Sequence, residues 1–149
     1  AASAFAVRLA SRADRVVHQA VDEVRALQAS GHLVVVATAC EERLARAYLD
    51  AIGLGDVAVA GSRLTVHPLK MRVEHHNHGV AKIDSLLGMG IVAPWAAAYT
   101  DALSDLPLLR GAERPVLVNP DGWLRGRVSR SLGRGADEVV WLDPPARVG

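Results

Sequence analysis

Two carboxylates, Asp101 and Asp105, stand four residues apart in Thr-Asp-Ala-Leu-Ser-Asp, directly after an apolar run over residues 95–99. Carboxylate oxygens from a loop and a first helical turn can converge on a hard divalent ion such as Mg²⁺, which keeps its remaining positions for water and phosphate. Helix capping gives a second reading, because Ser104 or Asp105 at a helix start is favourable with no metal present. Thr38 follows another apolar run, residues 33–37, and precedes a helical pattern opening at Glu41. Its hydroxyl and the backbone N–H groups after it, beginning at Ala39, suit a phosphate, while capping explains the same threonine without one. Lys82 falls in the first turn of the helical pattern after Gly79, where a cation opposes the helix dipole. A phosphate or carboxylate cluster facing it accounts for that placement; a solvated lysine is the plainer alternative.

The elements that position these residues follow from periodicity. Val16, Val17, Ala20, Val21, Val24 and Leu27 recur at three- and four-residue steps, which predicts a helix over 14–28 ending at Ser30-Gly31. Leu33-Val34-Val35-Val36-Ala37 is short, continuous and β-branched, as expected of a strand covered on both faces in a parallel sheet and stopping at Thr38. A helix is predicted over 41–52, closing at Gly53, then a strand over 57–60. Residues 61–79 read as a hairpin or surface excursion carrying His67, His75, His76 and His78. Helix over 80–87, strand over 95–99, helix over 106–111, strand over 116–118, helix over 121–132 and strand over 138–142 complete the chain. Strands alternating with helices throughout predict an α/β fold with a doubly wound, mainly parallel sheet. In such sheets ligands gather beyond the carboxyl ends of the strands, here Thr38, Ala60-Gly61, Thr100-Asp101 and Asn119.

Composition narrows the function classes. Half of the 149 residues are apolar and 22% are charged, ordinary for one domain with a hydrophobic core. Seventeen Lys and Arg nearly balance sixteen Asp and Glu, so bulk charge draws in neither nucleic acid nor an anionic membrane. No apolar stretch approaches the roughly 20 residues of a membrane span. Cys40 is the single cysteine, which excludes an intrachain disulfide and suits a reducing, cytoplasmic setting. Next to a helix start Cys40 could be an activated thiolate, yet no base is assignable beside it. His75, His76 and His78 lack the spacing and partners of a tetrahedral metal set. Arg125, Arg127, Arg130 and Arg134 read as a solvated face without interleaved aromatics, and Trp95, Trp123 and Trp141 as core or rim packing.

The order strand-Thr38, Lys82, strand-Asp101-x-x-x-Asp105 resembles the haloacid dehalogenase (HAD) superfamily in its phosphoserine-phosphatase-like branch. The resemblance runs from about His18 to Trp141 and rests on VVVATACEERLARAYLDAIGL, HHNHGVAKIDSLL and AAAYTDALSDLPLLRGAERPVLVNPDGWLR. It implies a HAD-like Rossmannoid core and a Mg²⁺-dependent phosphomonoesterase that forms an aspartyl phosphate on a small phosphorylated metabolite. Thr38, with Ala39, would bind the phosphoryl oxygens, Lys82 would balance charge on nucleophile and phosphate, Asp101 would bind Mg²⁺, and Asp105 would support the metal or its waters. Neither nucleic acid nor membrane enters as a partner, and oligomeric state is not legible.

One departure is large. The family's nucleophile lies in an Asp-x-Asp motif at the end of a central strand, and this sequence contains no Asp-x-Asp. Smaller ones are Thr100, where Gly is usual, and Ala102, where a small polar residue is usual; both crowd the metal loop slightly. The resemblance puts the nucleophile strand between the strands at 33–37 and 95–99, and its absence would expose two edges at about 1–3 kcal/mol per buried unpaired backbone group. The expectation is therefore a chain lacking its central nucleophile strand, with residues 1–14 the remnant of a helical cap or linker and 15–149 the core. Such a chain would be inactive alone, and a non-catalytic phosphate- and metal-binding module is the alternative reading.

Overall fold

The computed structural model describes residues 4–7, 14–67 and 70–140, with side chains described within 18–63 and 76–140. Along the chain come β1 (Ala4–Val7), α1 (Asp14–Ala29), β2 (Leu33–Glu41), α2 (Glu42–Ala51), β3 (Ala58–His67) and β4 (Lys70–His75). They are followed by α3 (Val80–Gly88), β5 (Trp95–Thr100), a 3-10 turn (Leu103–Asp105) running into α4 (Leu106–Arg110), β6 (Ala112–Val118), α5 (Gly122–Leu132) and β7 (Asp137–Val139). The seven strands lie in the order β4-β3-β2-β1-β5-β6-β7. All neighbours are parallel except the β3–β4 hairpin.

Period-two alternation in β2 explains why that strand is apolar throughout. Val34 and Val36 pack in one core with Val24 of α1 and Ala45 and Leu49 of α2. Val35 and Ala37 face the opposite core, with Leu86 of α3, Leu108 and Leu109 of α4, and Leu124 and Val128 of α5. Each fully buried Val or Leu contributes about 1.5–3 kcal/mol, so both faces favour the same register. At the end of α2, Gly53 takes φ 82°, and Leu54 N–H bonds back to Leu49 O at 2.8 Å, closing the helix. Because α1 and α2 cover one face and α3 to α5 the other, the winding reverses between β1 and β5. Such a reversal leaves a crevice beyond the carboxyl ends of these strands.

The doubly wound parallel sheet is as the sequence predicts, with one correction at its centre. The position expected to be empty is filled by β1, which pairs in parallel with β2 on one side and β5 on the other. Residues 4–7, read from sequence as part of a cap or linker, are thus strand. Pairing is a property of the backbone, so Ala-Phe-Ala-Val satisfies both edges without carrying a carboxylate. β2 does not stop at Thr38 either, but continues to Glu41 with an irregularity between Ala37 and Glu41. The last strand comprises Asp137–Val139, and the expected strand positions at 141–142, with Trp141, lie outside the described residues.

Candidate functional site

Sheet register brings two of the expected residues to one level. Ala6 in β1 pairs with Val35 in β2 and with Ala98 in β5. Three residues further along each neighbour come Thr38 and Asp101. Thr38 thus lies on the strand to one side of β1, and Asp101 directly follows the strand on its other side.

Lys82 and Asp105 meet directly. Gly79, at φ 56° and ψ −123°, turns the chain into α3 through a region that is costly for any residue with a Cβ. Lys82, 1% exposed, then donates from Nζ to Oδ1 of the fully buried Asp105. Thr100 Oγ1 donates to Asp105 Oδ2 at 2.7 Å and accepts the Ala102 N–H at 3.1 Å. The solvated reading of Lys82 and the capping reading of Asp105 both give way here: Asp105 sits at the start of α4 without a side-chain capping bond. Removing one partner from a buried ion pair costs about 3–5 kcal/mol, so the pair fixes α3 against the end of β5.

Asp101 is in a different condition. The residue is partly exposed, but its Oδ1 is buried with no hydrogen-bond partner among the described residues. A buried oxygen without a donor costs about 1–3 kcal/mol, more when charged, and a cation would relieve that cost. On this observation Asp101 fits Mg²⁺. Asp105, whose two oxygens hold Lys82 and Thr100, fits it only indirectly. No group of three His, Cys, Asp or Glu that could hold a metal occurs among the described residues. One carboxylate completed by water and phosphate oxygens is still within the usual range for Mg²⁺.

Thr38 does not cap α2. That position belongs to Glu41, whose carboxylate accepts the Leu44 N–H at 3.1 Å. Thr38 Oγ1 accepts the Cys40 N–H at 3.1 Å, and its own proton is uncommitted among the described residues. A threonine so held can donate to an anion.

A sequence model of the family described as haloacid dehalogenase-like hydrolase matches residues 1–110. The chain belongs to the HAD-like hydrolase family. The match starts earlier than the resemblance over 18–141 and ends before Asn119-Pro120-Asp121. Among solved structures, the chain is similar to a protein of unknown function from Bordetella pertussis Tohama I, at 24% identity and TM-score 0.66, covering 84% of this chain and 58% of that one. It is also similar to a HAD family hydrolase from Salmonella enterica subsp. enterica serovar Typhi, at 12% identity and TM-score 0.57, covering 83% and 44%. The chain thus spans about half the length of these two. No curated protein matches.

Within this HAD-like fold the sequence reading overlooked Asn77. It is fully buried; Nδ2 donates to Thr38 O at 3.0 Å and to Ala60 O at 2.6 Å. Its N–H donates to Ser62 Oγ at 2.9 Å, and Oδ1 accepts from Ser85 Oγ at 2.7 Å. The run His-His-Asn-His hides it, because its histidines draw attention while the asparagine turns inward. His76 and His78 are exposed and stack outside the turn, with ring centroids 5.7 Å apart. The side chains of His67 and His75 lie outside the described residues.

Other singled-out residues have structural positions. Trp95 is buried and donates from Nε1 to Leu108 O at 2.9 Å. Trp123, expected to pack in the core or at its rim, is instead 64% exposed in the first turn of α5. Its neighbour Leu124 takes the inward position on that turn. Arg125 pairs with Glu138, and Arg134 donates to Ala112 O at 2.6 Å; Arg127 and Arg130 are exposed, as is Cys40. No helix of the described residues is long and apolar enough to cross a membrane. On the far side of β5, Tyr99 donates to Glu23 Oε1 at 2.9 Å, and burial together with that carboxylate pushes its hydroxyl from its usual 10 up to about 12. A separate cleft of about 490 Å³ runs beside β3 between Glu42 and Arg46 of α2 and Asp84 of α3. None of Thr38, Lys82, Asp101 and Asp105 lines it.

Proposed function

We propose that this chain forms the phosphate- and metal-binding part of a Mg²⁺-dependent phosphomonoesterase of the HAD type, acting on a small phosphorylated metabolite through an aspartyl phosphate. The observation that carries the reading is the buried Lys82–Asp105–Thr100 cluster beside Asp101, at the sheet's winding reversal. Phosphoryl transfer is catalysed mainly by positioning and by charge around the equatorial oxygens, and each role has a suitable group. The Thr38 hydroxyl donates its free proton to a phosphoryl oxygen, with the Ala39 N–H as second donor. Lys82, held in place by Asp105, sets a fixed positive charge toward phosphate and nucleophile. Asp101 would hold Mg²⁺, which supplies charge neutralisation at the phosphoryl oxygens. Asp105 supports that site only by holding the Thr100–Ala102 turn next to Asp101. Soluble phosphate esters in the cytoplasm, not nucleic acid or membrane, are the proposed partners.

The 149 residues contain no Asp-x-Asp, so the attack on phosphorus is not assigned to them. β1 fills the centre of the sheet without a carboxylate, and that observation favours a second reading, a non-catalytic phosphate-binding module. The test titrates inorganic phosphate into the 149-residue chain and measures p-nitrophenyl phosphate hydrolysis, with and without Mg²⁺, for this chain and for any longer gene product carrying an upstream Asp-x-Asp. Phosphate binding without turnover is expected in the short chain, and Mg²⁺-dependent turnover in a longer product whose Asp-x-Asp strand takes the place of β1 between β2 and β5. Failure to bind phosphate, or turnover indifferent to Mg²⁺, overturns the proposal; binding without turnover in every form selects the second reading.

A further inference from the structure

We infer that Asn77 is a positioning residue that orients the phosphate-facing backbone after Thr38 and ties it to the helix carrying Lys82; this rests on the proposed phosphate site and deepens it. The Asn77 amide accounts for the Thr38 carbonyl, and Ser62, whose hydroxyl accepts the Asn77 N–H, donates to the next carbonyl, Ala39 O, at 2.8 Å. Two successive carbonyls of the irregular end of β2 are therefore pinned toward one buried hub. In a trans peptide the following N–H points opposite to the carbonyl. Pinning Thr38 O toward the β3 side turns the Ala39 N–H the other way, toward β1 and β5. Pinning Ala39 O likewise aims the Cys40 N–H, which is caught by Thr38 Oγ1 and orients that hydroxyl.

The same amide reaches α3. Ser85 donates to Asn77 Oδ1, which fixes which end of the amide faces Thr38 and leaves Nδ2 to bridge Thr38 O and Ala60 O. Ser85 lies three residues beyond Lys82, on the same helix face. One side chain thus sets the distance between the Thr38 donors and the Lys82 charge. Ser62, Asn77 and Ser85 touch no expected ligand themselves; they act through Thr38, Ala39 and Lys82.

The test is the dissociation constant for inorganic phosphate, measured by calorimetry on the 149-residue chain, Asn77→Ala, Ser62→Ala and Ser85→Ala, at a temperature where circular dichroism shows each to be folded. Asn77→Ala and Ser62→Ala are expected to weaken phosphate by roughly tenfold or more, the scale of a misaligned bond to an anion, and Ser85→Ala by about threefold. The phosphate-induced shift of the Ala39 amide proton should shrink in the same order. A merely structural role would lower the melting temperature and leave the constant of the folded protein unchanged; that result overturns the inference. If Asn77→Ala does not fold, unchanged binding in Ser62→Ala and Ser85→Ala overturns it equally. Failure of the unmodified chain to bind phosphate instead sinks the site on which the inference rests.

Discussion

The ends of β5 and β2, which the proposed phosphate site would bring together, are built on opposite plans. At the end of β5 the charged groups are buried and satisfy one another, with Lys82 and Asp105 each exposed by 1% or less and Thr100 closing the second carboxylate oxygen. At the end of β2, Thr38 and Ala39 are partly exposed and Cys40 is exposed; the carbonyls of Thr38 and Ala39 are pinned by the neutral Asn77 and Ser62, and the charged Glu41 turns away to cap α2. A buried ion pair is costly to assemble and to break, so its geometry resists the arrival of a further charge. A loop of backbone donors is cheaper to build, and its aim depends on neutral hydrogen bonds of about 1 kcal/mol each. The proposed site would thus combine a rigid cation with an adjustable set of donors.

Breaking the β5 end should have the largest effect. Lys82→Met leaves Asp105 charged, buried and bonded only through Thr100 and its remaining contacts, and is expected to cost about 3–5 kcal/mol in urea unfolding. Lys82→Met combined with Asp105→Leu replaces the pair by apolar volume and should recover most of that loss. Phosphate binding should not return with stability. A double variant that binds phosphate as the unmodified chain does would reduce the pair to a folding device and erase the contrast between the two ends.

The β5 end is also tied from the opposite face, through Tyr99 and Glu23 of α1. With the hydroxyl raised to about 12, the unfolded chain ionises from pH 10 upward while the folded chain stays neutral. The associated stability is complete below pH 10 and falls away as pH rises to 12, by roughly 2–3 kcal/mol. Tyr99→Phe should flatten that decline in an alkaline series of denaturation curves; an unchanged slope removes Tyr99 as the tie. Gly79→Ala tests the entry to α3. The added Cβ would meet only Ser104 O at 3.8 Å, an ordinary contact, so the expected loss of about 1–3 kcal/mol comes from the backbone angle alone. A loss below about 0.5 kcal/mol would mean the turn relaxes without strain.

Much of this architecture was legible in the sequence because burial on two faces leaves a plain mark. The run Leu33-Val34-Val35-Val36-Ala37 announces a central strand, and the helices after it repeat their apolar residues at three and four. Thr38, Lys82, Asp101 and Asp105 could be picked out as polar residues at strand ends or against local preference. Their partners could not, since whether Asp105 caps a helix, binds a metal or holds Lys82 depends on contacts 23 residues away. β1 was missed because four apolar residues carry no period and no flanking signal, and pairing with β2 and β5 is a matter of backbone alone. Asn77 was missed because a buried amide satisfied by carbonyls looks, in sequence, like any turn residue.

The finest distinction lies within the β5 end, between two aspartates four residues apart. Asp105→Asn removes the charge that balances Lys82 and should destabilise the chain about as much as Lys82→Met. Asp101→Asn should leave stability unchanged or raise it by up to about 1 kcal/mol, because the buried Oδ1 has no donor to lose and the neutral amide is cheaper to bury. What Asp101→Asn should abolish is the rise in melting temperature on adding Mg²⁺, since an ion that binds only the folded state stabilises it by RT ln(1 + c/Kd), where c is the free Mg²⁺ concentration. Equal Mg²⁺ shifts in the unmodified chain and in Asp101→Asn would place the ion elsewhere and leave the orphaned oxygen without a purpose. A shift lost in Asp101→Asn but kept in Asp105→Asn would separate the carboxylate that holds the metal from the one that holds the lysine.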